Sequence, residues 1–213
     1  MRILLIADQE CSALWDHYRP ERVQGIDLII SCGDLKSSYL EFLVTMTSKP
    51  LLYVPGNHDD AYAQNPPGGC ECIDGDVFTF RGLRIGGLGG CREYSSGTYQ
   101  YSEEIMARRV RKFQRQVRKA GGLDIFVSHA SLTGFGDAED RAHMGFDCFR
   151  TVLDECRPSY MVHGHVHQSY GWNIPRIVEY QGIPIINAFE RYVLEVPDPA
   201  PAEPRKRRFL FGR

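Results

Sequence analysis

Six side chains suited to binding a divalent metal stand just beyond apolar runs of this chain. Asp8 follows residues 3–7, Asp34 follows 27–31, Asn57 follows 51–54, His129 follows 124–128, and His165 with His167 follows 160–162. Carboxylate, amide and imidazole donors together suit Mn, Fe, Ni, Co or Zn. Each residue alone has an ordinary alternative as a turn, surface or hydrogen-bonded core group. The coincidence at five runs is what favours chemistry. The stretch Leu51-Leu52-Tyr53-Val54-Pro55-Gly56-Asn57-His58-Asp59 is the sharpest of them. Gly56 permits a tight turn, and packing asks for no amide, imidazole and carboxylate at the end of a core strand. Two ions sharing one Asp, ~3.5–4 Å apart, can clamp a phosphate and generate hydroxide. Cys32 is the only thiol at these run ends, which argues against a structural zinc.

The elements that must position these groups follow from hydrophobic periodicity. Residues 2–7, 27–31 and 51–54 predict strands, with a short helix over 11–18 and a second helix opened by Ser38 and Glu41 as a capping box. This strand–helix rhythm predicts a largely parallel sheet with helices against it. Ligands of such sheets collect beyond the carboxyl ends of the strands. Residues 77–80 and 83–86 predict a β-hairpin about Arg81-Gly82. Ser102 opens a helix running to Lys119, with Met106, Val110, Phe113 and Val117 on one face. Its other face carries Arg108, Arg109, Arg111, Lys112, Arg115, Arg118 and Lys119, a solvated surface or a dock for an acidic partner. Strands over 124–128 and 160–162 flank a helical stripe within 146–156, and three antiparallel strands follow over 177–180, 183–187 and 192–196. Residues 61–72, 87–101 and 131–145 are loops expected to rim the site, the last carrying Asp137, Asp140 and His143.

Composition bounds the class. With 213 residues, 43% hydrophobic and 24% charged, one ordinary globular domain is expected over residues 1–196. Residues 197–213 form a Pro-rich basic tail, flexible by composition, whose run Arg205-Lys206-Arg207-Arg208 offers an alternative as a dock for an acidic partner. A net charge of −2 argues against a whole-domain polyanion binder. The apolar run at 3–7 is too short for a signal-peptide core, and no segment reaches the length of a membrane span. Seven cysteines without regular spacing predict a reducing, cytoplasmic setting. Cys70-Glu71-Cys72 has one residue between its thiols and matches neither a redox motif nor a zinc knuckle.

The ordered set resembles a known family. Asp8 with a residue two further on, Gly33-Asp34, Gly56-Asn57-His58-Asp59, Ser128-His129 and Gly164-His165-Val166-His167 are similar to the motif series of calcineurin-like metallophosphoesterases, spanning residues 8–167. Gly87-Leu88-Gly89-Gly90, and Gly136-Asp137 through His143-Met144-Gly145-Phe146, resemble small bacterial members. The resemblance implies a four-layer α/β/β/α sandwich with two packed mixed β-sheets. It implies two divalent metal ions, Mn²⁺ above all, with Fe, Ni, Zn or Mg as alternatives. Asp34 would bridge them; Asp8, His167 and residue 10 would complete the first site, and Asn57, His129 and His165 the second. His58 would be general acid or phosphate donor, oriented by Asp59. One departure stands out: the family has Asp-x-His where this chain has Asp8-Gln9-Glu10. As a ligand, Glu10 gives the first site three carboxylates and shifts it towards Mn²⁺ or Mg²⁺. Turned away, it leaves the first ion weakly held.

Two functions are therefore expected. The first is a phosphoesterase hydrolysing a phosphodiester or phosphomonoester, in which hydroxide generated by the metals attacks phosphorus and His58 protonates the leaving alkoxide. The second is a catalytically weak or inactive scaffold of the same fold that binds a protein partner. Glu10 favours the scaffold and His58 the enzyme. Nucleotides, cyclic phosphodiesters, phospholipid headgroups and phosphoproteins all suit an open site of this kind. A membrane is not an expected partner, nor is nucleic acid beyond a small nucleotide substrate, and no sequence feature assigns an oligomeric state.

Overall fold

Successive side chains of a strand point to opposite faces, and strands buried on both faces read as continuous apolar runs. The computed structural model, which describes residues 1–138, 140–170 and 174–198, shows what buries both faces. One sheet contains β1 (Arg2–Ile6), β2 (Leu28–Ser31), β3 (Leu51–Tyr53) and β4 (Glu71–Cys72), all parallel. A second begins with the expected hairpin, β5 (Val77–Phe80) and β6 (Leu83–Leu88). A two-stranded parallel ribbon, β7 (Cys91–Arg92) and β8 (Gln100–Tyr101), orders part of the expected 87–101 loop. β9 (Ile125–Ser128), β10 (Tyr160–His163), β11 (Ile177–Tyr180) and β12 (Ile183–Asn187) complete the second sheet in the order β11-β12-β10-β9-β6-β5. Its four central strands are parallel and its edges antiparallel. β13 (Tyr192–Glu195) returns to the first sheet, antiparallel to β1.

Three apolar layers hold the stack together. Ile3, Leu5, Ile30, Leu52 and Val54 meet Ile85, Ile125, Val127, Val162 and Ile186 between the sheets. Leu4, Ile6, Ile29 and Leu51 point the other way, onto Tyr39, Leu40 and Leu43 of α1 (Ser37–Thr47). Phe126, Met161 and Ile185 pack on α2 (Glu103–Ala120) and α3 (Phe149–Cys156). This is the four-layer α/β/β/α sandwich with two packed mixed sheets. α2 starts where the sequence predicts, with Ser102 Oγ accepting from the Ile105 amide at 3.3 Å, and stops at Gly121 in the left-handed region.

Two local expectations give way to tertiary contacts. Residues 12–17 form successive turns rather than a helix. The guanidinium of Arg22 takes the carbonyls of Ala13 and His17 at 2.6 and 2.7 Å, so these are not left for an i→i+4 ladder. Trp15 meanwhile packs edge-on against Phe42, 4.8 Å between centroids. The capping box does not form either. Lys36 is the N-cap of α1, and Glu41 instead accepts from the Gly68 amide at 2.8 Å, pinning the 61–72 segment to the helix.

Candidate metal centre

The parallel strands β1, β2, β3, β9 and β10 all end at one edge, and each is followed by an expected site residue. Asp8, Asp34 and His165 have φ of 63°, 58° and 69°, the left-handed region. Non-glycine residues there cost roughly 1–3 kcal/mol each and cluster where a side chain must be aimed. Two glycines let the turns meet: a methyl at Gly56 would collide with Asp34 Oδ1, and one at Gly33 with the Gly56 amide. Neither position tolerates a side chain.

Asp34, His129 and His165 each offer a ligand atom, all within 4.8 Å of one another. His129 Nδ1 donates to the Cys32 carbonyl at 2.7 Å, which leaves Nε2 to face Asn57 Oδ1 at 2.9 Å and Asp34 Oδ2 at 3.3 Å. His165 Nε2 donates to the Ala142 carbonyl at 2.7 Å, so its Nδ1 is the nitrogen left to bind. Outer bonds of this kind fix tautomer and ring orientation in metal sites. Asn57 is oriented likewise: its Nδ2 donates to Tyr94 Oη at 3.1 Å, which keeps Oδ1 inward. Asp8 Oδ1 accepts from the His165 amide at 2.8 Å, while its buried Oδ2 has no hydrogen-bond partner among the described residues.

The electrostatics ask for a cation. Burial pushes the Asp8 carboxyl up to about 7, against the pull of His129. Burial opposes ionisation of Asp34 too, but the charge and hydrogen bond of His129 and the His58 amide outweigh it and hold Asp34 well below the usual carboxylate range. His129 is the mirror image: burial lowers it, and Asp34 carries it up to about 9. Burial, then His129, depresses His165 to about 3, so it stands neutral, as a ligand must. A divalent ion fits this donor set: it would give Asp8 Oδ2 the partner it lacks and neutralise two buried carboxylates.

The remaining expected residues are distributed as follows. His167 and the exposed His58 line a cleft of about 250 Å³ with Asp8, Asp34, Asn57 and His165. Glu10 does not line it; its Oε1 lies 3.6 Å from Lys36 Nζ. Asp59 is 4% exposed, and its Oδ2 accepts from the amides of Asp34 and Gly56 at 2.8 and 2.7 Å. Among the described hydrogen bonds, none joins Asp59 to His58, so its visible work is to tie the Asp34 turn to the Asn57 turn. Tyr94 and His143, which also line the cleft, come from the 87–101 and 131–145 loops that sequence marked only as a rim.

A family model described as calcineurin-like phosphoesterase matches residues 1–169. One crystal structure aligns over 91% of this chain and 94% of its own, with a TM-score of 0.66 at 15% identity. The crystal structure of TT1561 of Thermus thermophilus aligns over 89% of each chain, with a TM-score of 0.62 at 15% identity. At that identity the likeness concerns the fold alone. No curated protein matches the chain.

Proposed function

The chain belongs to the calcineurin-like phosphoesterase family, and on that premise we propose that it hydrolyses phosphate esters with two divalent ions, preferring Mn²⁺. The observation that carries this reading is the buried Asp8 Oδ2, without a hydrogen-bond partner among the described residues, beside the convergent Asp34, His129 and His165. Asp34 would be shared between the ions; Asn57, His129 and His165 would hold one, and Asp8, His167 and Glu10 the other. Bound there, the ions supply Lewis-acid charge on the phosphoryl oxygens and lower the pKa of water enough to provide the nucleophile. His58, exposed in the cleft with its amide given to Asp34 Oδ1 at 2.8 Å, donates the proton the leaving oxygen needs. Seven unpaired thiols suit a reducing cytoplasm, and no helix among the described residues is long and apolar enough to cross a membrane.

The Glu10–Lys36 pair is the observation that favours the scaffold reading. Magnitudes decide against it. Lys36 is 78% exposed, and exposed ion pairs are worth ~0–1 kcal/mol, too little to keep a carboxylate from a divalent ion. The test is metal analysis of the purified protein together with hydrolysis of an aryl phosphodiester and monoester across Mn²⁺, Ni²⁺, Zn²⁺ and Mg²⁺. His58→Ala should keep the metal content and lower kcat by ~10²–10⁴, more for poor leaving groups than for nitrophenolate. Equal losses on both substrates would leave His58 only a positioning role.

A further inference from the structure

The loop of residues 131–145 is built to hold something still. Asp137 accepts from the Gly134 and Gly145 amides at 2.9 and 3.1 Å, closing the loop on itself. Thr133 Oγ1 donates to the Gly145 carbonyl at 2.8 Å, and Arg92 reaches the same carbonyl at 3.4 Å from the neighbouring ribbon. At its tip, Asp140 Oδ1 accepts from the Ala142 and His143 amides at 3.0 and 3.1 Å. Both oxygens of Asp140 also lie 2.9 Å from His143 Nδ1. That pair holds the Asp140 carboxyl below its ordinary value, His143 being the first cause. The carboxylate thus anchors the ring through Nδ1, and the ring belongs to the cleft wall with Asp34, His58 and His167. Its centroid is 5.1 Å from that of His165.

A histidine fixed by a carboxylate at one nitrogen, in a cleft that receives a phosphate, resembles no packing device. His143 retains 22% side-chain exposure in this wall. Resting on the phosphoesterase reading above, we propose that His143 is a second phosphate-binding histidine, with Asp140 as its positioning residue. With a phosphate ester in the cleft, the Asp140 carboxylate holds the ring at Nδ1 while the opposite nitrogen, Nε2, donates to a non-bridging phosphoryl oxygen. No bond is made or broken by His143; it binds and orients. The adjacent Ala142 carbonyl takes the His165 Nε2 proton, so one short loop segment orients both a metal-binding ring and the phosphate beside it. Substrate class follows: the terminal or diester phosphoryl group enters where His58 and His143 both reach it, and its organic part must leave room for the 131–145 loop.

The test measures binding of inorganic phosphate, the probe, to Mn²⁺-loaded protein by calorimetry, alongside steady-state kinetics. His143→Ala should weaken phosphate binding roughly tenfold or more, the range for a hydrogen bond to a charged group, with metal content and Tm unchanged. KM should rise more than kcat falls, the reverse of the split expected for His58→Ala. His143→Gln, which keeps a donor, should recover part of the affinity, and Asp140→Asn should lose several-fold through its effect on the ring. Unchanged phosphate affinity in His143→Ala would overturn the inference. So would loss of a metal ion in that variant, since His143 would then support ligands instead of phosphate. A wild-type protein that binds phosphate through His143 yet hydrolyses no ester would sink the enzymatic reading while leaving this one standing.

Discussion

Asp59 offers the strictest test of how the site is held together. Its carboxylate is 4% exposed, and one oxygen accepts from the Asp34 and Gly56 amides at 2.8 and 2.7 Å. Asp59→Ala leaves both amides buried without partners, at ~1–3 kcal/mol each, hence a loss of ~2–6 kcal/mol. Asp59→Asn keeps an acceptor in place and removes the charge. That charge is itself unfavourable in the metal-free protein: burial raises the carboxyl from 3.8 to about 6, with Asp34 adding to the shift against two amide bonds that lower it. The sign follows from proton linkage. A carboxyl raised in the native state binds its proton there between pH ~4 and ~6 while the unfolded chain has lost it, so this group makes stability fall as pH rises through that window. A window of about two pH units, at ~1.4 kcal/mol for each, gives about 3 kcal/mol. In urea unfolding of chelator-treated protein, Asn should therefore exceed Ala by ~2–6 kcal/mol at every pH. Asn should also gain on wild type by about 3 kcal/mol between about pH 4 and about pH 7. Asn as damaging as Ala, or a difference from wild type that is flat in pH, would refute the reasoning.

Three further outcomes are expected. Tyr94→Phe removes the hydroxyl that keeps Asn57 Oδ1 inward and should weaken metal affinity ~10–100-fold in chelator competition; an unchanged affinity would leave Asn57 oriented by something else. Glu10→Ala should deplete one of two ions in metal analysis while Glu10→His keeps both and moves preference from Mn²⁺ towards Zn²⁺ or Ni²⁺, and a variant with full Mn²⁺ content would exclude Glu10 from the ligand set. Asp124, which burial would raise but the Arg84 guanidinium at 2.6 Å holds low, stabilises the fold above its unfolded pKa of about 3.9. Asp124→Asn should cost ~1–2 kcal/mol at neutral pH, a difference that shrinks as pH falls below about 4, and a constant difference would contradict the linkage.

How much of this was legible in the sequence divides along a physical line. The sandwich was, because its strands announce themselves as apolar runs and its long helix as a stripe of Met106, Val110, Phe113 and Val117. The run ends were too, since parallel strands bring Asp8, Asp34 and Asn57 to the carboxyl edge of one sheet and His129 and His165 to that of the other, and the two sheets stack with these edges together. What failed were local rules overruled by distant partners. Residues 11–18 carry a fair helical pattern, but Arg22 claims their carbonyls. Ser38 and Glu41 have capping-box spacing, but Gly68 offers Glu41 a better amide.

The same line explains why the site's supporting residues stayed hidden. A ligand at a strand end is a local fact, whereas the group that aims it is chosen by which loops happen to meet. Tyr94 lies 37 residues from Asn57, Ala142 lies 23 from His165, and Cys32 lies 97 from His129. Two of these three partners act through backbone carbonyls, which every residue type possesses and no residue type advertises. The left-handed backbone at Asp8, Asp34 and His165 is likewise a property of crowded turns, which Gly33, Gly56 and Gly164 let approach one another. Sequence names the candidate donors; only the assembled edge decides which nitrogen of each histidine, and which oxygen of each carboxylate, is left to face the cleft.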